Sequence, residues 1–173
     1  MTLMTIALAA LLQASAPAAA IAADAPSQAR RELEQSVLTA TNAFFAARDS
    51  GRYAEAYRMF GSELASDVSE AEFRQTVGRM RSEWGAIRSR RNVAVTIYTT
   101  PPGAPEQATY ALVDFTAQYE KLYFLCGHVT WARQDDGTWR IAHLMESAFP
   151  HAQSPGASAA EIVRARSIVR CRD

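Results

Sequence analysis

Apolar positions recur with the period of a helix up to residue 85 and with the period of a strand beyond residue 88. Leu33, Val37, Ala40 and Phe44 step by four, three and four, which predicts a long helix from an N-cap at Ser27 to about Arg48. Asp49-Ser50-Gly51 ends it, with Gly51 suited to the left-handed turn of a helix stop. Tyr53, Ala56, Tyr57 and Phe60 share one face of a short second helix. Ser69 to Glu72 is a capping box, in which Glu72 reaches back to the Ser69 amide. It opens a third helix that sets Phe73, Val77, Met80 and Trp84 on one face and stops at Gly85.

From Arg88 the period is two. Val93, Val95 and Ile97 alternate with Asn92, Ala94 and Thr96 until Pro101-Pro102-Gly103. A second strand is predicted from about Ala108 to Lys121, with Ala111, Val113, Phe115 and Ala117 on one face. A third runs from Leu122 to Gln134 and groups Tyr123, Leu125, Val129 and Trp131. Asp135-Asp136-Gly137 is a hairpin turn into a fourth strand, Thr138 to about Ser147. A three-residue loop there pairs Trp131 with Ile141 and Arg133 with Trp139. Val129, Trp131, Trp139 and Ile141 then form one apolar side, expected against the helices. The predicted fold class is α+β: three N-terminal helices packed on a curved four-stranded antiparallel sheet, with a short C-terminal helix.

The two ends of the chain lie outside this pattern. Leu3 to Leu12 is an apolar run of signal-peptide length, and Ala20-Ile21-Ala22 offers a small-residue cleavage site. No Lys or Arg precedes the run, which is also too short to span a bilayer. The expected organisation is a signal peptide at 1–22, an α+β domain at 23–149, and a linker with a C-terminal helical segment at 150–173. That last segment carries a second capping-box pattern, Ser158 to Glu161, followed by Ile162, Val163, Ala165 and Val169. Periplasmic or secreted localisation follows from the leader, and the mature chain holds no stretch of transmembrane length.

Charge narrows the partners. The 18 basic and 18 acidic side chains balance, which argues against nucleic acid and against docking on anionic lipid. Cys126 and Cys171 are the only cysteines and have no metal-ligand spacing, so zinc and CxxC chemistry are not expected. In an exported chain the two are expected to form a disulfide, the alternative being one buried thiol and one thiol on a frayed tail.

Several stretches resemble the bacterial domain-of-unknown-function family numbered 4019. They are the run from Ala47 to Tyr57, Val68-Ser69 with Phe73, and Arg81 with Gly85 and Arg90. Tyr98 to Pro105 belongs with them, as do Tyr110, Phe115 and Tyr119, and the closing run from Gly137 to Ile141. The resemblance spans roughly residues 35 to 147. It implies an α+β cone fold similar to the nuclear-transport-factor-2-like and cystatin-like folds, and an exported protein. It implies no reaction and no catalytic residues.

Candidate chemistry lies with polar residues on the strands, above all those predicted on the apolar side. His143 alternates with Trp139, Ile141 and Met145, and is therefore expected to face the core, either as a general base or as a hydrogen-bonded core residue. Asp114, between Leu112 and Thr116, is either its carboxylate partner or a surface residue. His128 falls on the opposite face with Cys126 and Thr130, and His151 lies in the linker, so no metal site is indicated. Tyr123 and Trp139 are candidate ligand-binding residues, with cross-strand and core packing as the plainer reading. The basic run Arg81, Arg88, Arg90 and Arg91 reads as a solvated patch or an anion site. No phosphate loop, nucleophile elbow or cofactor motif is present.

The function expected is a non-catalytic domain of the cell envelope that binds a small ligand or a protein partner. The alternative is an isomerase- or hydrolase-like enzyme using the cone cavity, with His143 and Asp114 transferring protons. Pairing of two copies through the outer face of the sheet is a further expectation.

Overall fold

The computed structural model describes residues 24–100 and 107–172. The expected leader and the Pro101 to Pro105 stretch lie outside the described residues. The chain divides between Glu32 and Leu33 into two units, and the packing below concerns the unit from Leu33 onward.

Helix α1 (Asp24–Asp49) begins three residues before the expected cap at Ser27. Helix α2 (Tyr53–Tyr57) is followed by α3 (Ser62–Asp67), a short helix the periodicity did not reveal. Six residues are too few to establish a helical period. Helix α4 (Glu70–Trp84) opens on the expected capping box, with Ser69 and Glu72 bonded reciprocally. Four helices therefore precede the sheet among the described residues, one more than expected, within the same α+β architecture.

The sheet comprises β1 (Ile87–Thr99), β2 (Thr109–Tyr119), β3 (Leu122–Arg133) and β4 (Trp139–Pro150), antiparallel and in sequence order. Trp131 pairs with Ile141 and Arg133 with Trp139, as the three-residue loop requires. Val129, Trp131, Trp139 and Ile141 are all buried on the helix-facing side. There they join Val37, Phe44 and Phe45 of α1 and Phe73 of α4. Phe45 meets Phe115 edge-on at 4.6 Å, and Phe44 meets Trp131 at 6.4 Å.

The last strand departs from simple alternation. Thr130 pairs with His143 and Trp131 with Ile141, so Ala142 is an extra residue, a β-bulge. One inserted residue exchanges the faces of everything after it. Leu144, Glu146 and Ala148 consequently take the inner side, opposite Val129, Gly127 and Leu125. Just before the bulge, Ile141 donates its N–H to the Met59 carbonyl (2.8 Å), and its carbonyl accepts from Gly61 N–H (2.9 Å). The link between α2 and α3 thus covers this stretch of edge strand, whose backbone groups would otherwise be unpaired.

After β4, a 3₁₀ turn (His151–Gln153) leads to α5 (Ala159–Ile168), opened by the expected capping box of Ser158 and Glu161. Cys126 and Cys171 form a disulfide with Cα atoms 5.6 Å apart. It ties the end of the chain to the outer face of β3. No helix among the described residues is long and apolar enough to cross a membrane.

Candidate functional site

The bulge at Ala142 corrects the expectation for His143. Its side chain is exposed on the outer face of the sheet, and Met145, expected inside with it, is 50% exposed. Asp114 does lie near it, because Asp114 is opposite His128 in the β2–β3 register and the His128 and His143 rings are 5.8 Å apart. The three therefore form an outer-face cluster, away from the space between helices and sheet. Asp114 accepts a hydrogen bond from the Arg172 guanidinium at 2.9 Å, which commits it to holding the C-terminal segment. Partial burial lowers the His128 pKa from 6.5. The neighbouring His143 adds to the lowering, against an opposing pull from Asp114.

Trp139 is buried in the core, and its indole N–H donates to the Ser36 hydroxyl at 2.9 Å. Tyr123 lies on the other side of the sheet. Its hydroxyl donates to the Ser154 carbonyl (3.1 Å) and accepts from Ala157 N–H (3.0 Å). The two candidate ligand residues are therefore not brought together, and Tyr123 anchors the segment leading to α5.

What the fold does assemble is a polar cluster at the inner edge of the core. Arg48, at the end of α1, is only 3% exposed and donates to Glu146 at 2.9 Å. Asp49 lies 3.7 Å from Arg48 Nε and accepts from Arg90 Nη2 with both carboxylate oxygens, at 3.1 and 3.0 Å. Arg90 Nη2 also donates to the Tyr119 hydroxyl at 2.9 Å. Phe45 lies beneath both guanidinium groups, with its ring centre 4.7 Å from Arg48 and 3.9 Å from Arg90. Two cations and two anions balance, which is how charges persist in so dry a place. Burial works against the Arg48 charge, but attraction to the carboxylates of Glu146 and Asp49 outweighs it and raises the pKa. Burial, helped by the charges of Asp49 and Glu146, raises the Tyr119 pKa against the opposing pull of Arg90 and Arg48, keeping the phenol protonated.

Beside this cluster is a pocket of about 130 Å³ between the C-terminal half of α4 and the end of the sheet. Val77, Met80, Trp84 and Ile87 line it with apolar surface, and Arg48, Asp49, Arg81 and Tyr119 form its polar side. Gly85 makes this geometry available. With φ of +78° it turns the chain from α4 into β1, and a Cβ there would lie 2.8 Å from a Glu120 carboxylate oxygen. That same oxygen accepts from Ala86 N–H and fixes the pocket rim.

Tyr119 accepts from Arg90, and its own proton has no acceptor among the described residues. Arg81 donates Nη1 to the Asp49 carbonyl at 3.0 Å, with its other N–H groups still available at the pocket. The pocket thus combines apolar walls with hydrogen-bond donors. Asp49 and Glu146 are already engaged by arginines, and neither histidine of the outer cluster lines it. No group of three or more His, Cys, Asp or Glu residues placed to hold a metal occurs among the described residues.

The residues of this site lie far apart in the chain. Asp49, Arg81, Gly85, Arg90 and Tyr119 are among those that carry the family resemblance. Nothing in the sequence marked Arg48 or Glu146 as buried, because their pairing spans 98 positions and depends on the bulge.

Among solved structures, the chain is similar to a candidate dehydratase of the NTF2-like family from Streptomyces avermitilis. The two are 14% identical, with 68% of this chain and 97% of the other covered and a TM-score of 0.47. A search of curated proteins finds no match. The family model of DUF4019, described as a protein of unknown function, matches residues 40–143. That span runs from the inner face of α1 through the bulge in β4, and the chain belongs to this family.

Proposed function

We propose that the domain is an exported, non-catalytic binding domain of the bacterial cell envelope. In this reading it holds a small, largely apolar molecule with a carbonyl or carboxylate acceptor in the pocket beside α4. The observation that carries the proposal is the pairing of apolar walls with the unused Tyr119 O–H in one preformed pocket. An acceptor atom of the ligand would take the phenolic proton, while the apolar body would rest on Met80, Val77 and Trp84. The non-catalytic assignment follows from what lines the pocket. Its carboxylate is neutralised by arginine, and no histidine is present to move a proton. Export is supported by the leader pattern and by a disulfide of the kind that persists in oxidising compartments.

Native mass spectrometry of the protein purified from its own host's envelope tests this reading. Wild type is expected to retain a small molecule that the pocket-filling variant Met80→Trp loses, with both proteins unfolding at similar urea concentrations. Retention of nothing by wild type, or equal retention by Met80→Trp, would refute it.

A further inference from the structure

The fold gives the four arginines of the basic run different work. Arg88 and Arg91 are exposed and do not line the pocket beside α4. Arg90 turns inward and is committed to Asp49 and Tyr119. Arg81, in the last turn of α4, lines the pocket. Its Nη1 donates to the carbonyl of Asp49 at 3.0 Å. Asp49 is the last residue of α1, where a cation suits the negative end of the helix dipole. That contact leaves most of the guanidinium N–H groups unused, and Arg81 makes no ion pair among the described residues.

The charges around the pocket decide what it can accept. Arg48 and Arg90 are balanced by Glu146 and Asp49, whose carboxylates they already engage. At the rim, Glu120 is turned to the Ala86 N–H, and its neighbour of opposite sign, Lys121, donates to the Ser82 carbonyl. Arg81 is thus left as one uncompensated cation on the polar side of the pocket, the side that also carries the unused Tyr119 O–H. A neutral carbonyl could accept the phenolic proton but would leave the Arg81 charge unanswered. A carboxylate has two oxygens, one for the phenol and one for the guanidinium, and hydrogen bonds between ionised groups are the stronger kind. A second negative charge on the ligand would meet only the apolar walls, at a desolvation cost.

We propose that the ligand of this pocket is a small monocarboxylic acid bound as its anion, and that Arg81 is the residue that selects it over neutral molecules of the same shape. The inference rests on the pocket reading above and narrows its ligand class. One carboxylate oxygen accepts from the Tyr119 hydroxyl and the other from Arg81, while the hydrocarbon part lies on Val77, Met80 and Trp84.

Isothermal titration calorimetry at low ionic strength tests the assignment, with hexanoate and benzoate as probes and hexanamide and benzamide as their neutral analogues. Wild type is expected to bind at least one carboxylate about tenfold more tightly than its amide, the gain for one charge-assisted hydrogen-bonded contact. Added salt narrows that gap. Arg81→Gln brings acid and amide to nearly equal affinity, whereas Arg81→Lys, which keeps the charge but not the planar fork, retains part of the preference. If Arg81 served only to cap α1, its replacement would lower stability and leave the preference unchanged. Arg81 is exposed, so both variants are expected to fold, and urea unfolding verifies it. Arg91→Gln, at an exposed position that does not line the pocket, leaves binding as in wild type, and Met80→Trp removes it. Amides bound as tightly as carboxylates, or an undiminished preference in Arg81→Gln, would overturn the carboxylate assignment and leave the pocket reading standing. Carboxylate binding that survives Met80→Trp would overturn both. Failure of all four probes would overturn the carboxylate assignment, and the pocket reading falls with it if native mass spectrometry also finds no retained molecule.

Discussion

The Glu146→Gln substitution tests the buried charge cluster, because it removes one charge while keeping side-chain size and a carbonyl acceptor. Glu146 is 9% exposed and Arg48 3%, and their contact is 2.9 Å. At an effective dielectric constant of about 20, opposite charges at that distance attract by about 6 kcal/mol before desolvation is subtracted. In the variant only Asp49 remains to balance two arginines. It lies farther from Arg48, at 3.7 Å, and both its oxygens already serve Arg90. Breaking one side of a buried pair typically costs 3–5 kcal/mol. The partial help from Asp49 places this case at about 3 kcal/mol, or roughly 6–12 °C in Tm for a domain of this size. Urea unfolding followed by circular dichroism gives the number, with an unchanged m-value showing that both proteins unfold alike. The double variant Arg48→Met/Glu146→Gln leaves Arg90 and Asp49 as one balanced pair, and is expected to recover most of the loss. A loss below about 1 kcal/mol in the single variant, or no recovery in the double, would refute the electrostatic account.

Three other outcomes follow from local geometry. Gly127→Ala would put a Cβ into the backbone carbonyl of Met145. Because backbone cannot step aside as a side chain can, a loss of at least about 3 kcal/mol is expected in urea unfolding, and a near-neutral variant would show the strands to be looser than described. The disulfide closes a loop with a sequence separation of 45, so Cys126→Ala/Cys171→Ala should lower stability by about 4 kcal/mol in the chain-entropy model. Equal urea midpoints with and without the bond would contradict this. His128 has a pKa below 6.5 when folded, through partial burial and then the nearby His143 on β4, opposed by Asp114 on β2 with Arg172 bound to it. The unfolded chain therefore binds more protons, and stability should fall as pH drops from about 6.5 through the depressed folded value. His128→Gln should flatten that slope, and an unaltered pH profile would exclude the effect.

The parts of the fold legible in the sequence are those closed by short-range bonds. The Ser69–Glu72 and Ser158–Glu161 capping boxes need only four consecutive residues, and both occur where the sequence places them. The Asp135-Asp136-Gly137 loop determines which residues of β3 and β4 face each other, so the pairs Trp131–Ile141 and Arg133–Trp139 could be read in advance. Apolar periodicity identified the inner faces of α1 and α4 for the same reason, since the spacing of side chains on a helix is a local property.

Past Ile141 that local logic ends. The bulge at Ala142 arises where the edge strand meets Met59 and Gly61, more than 80 positions away in the chain. No alternation within β4 records that contact, so His143 reads as inward and is outward, while Glu146 turns in to meet Arg48. The disulfide could be anticipated from a lone pair of cysteines behind a leader-like N-terminal pattern, but not the placement of α5 against Phe124. Local hydrogen bonding determined the elements and their hairpin register. The buried ion pairs and the pocket beside α4 were decided by tertiary packing, because each joins residues that only the folded chain brings within a few ångströms.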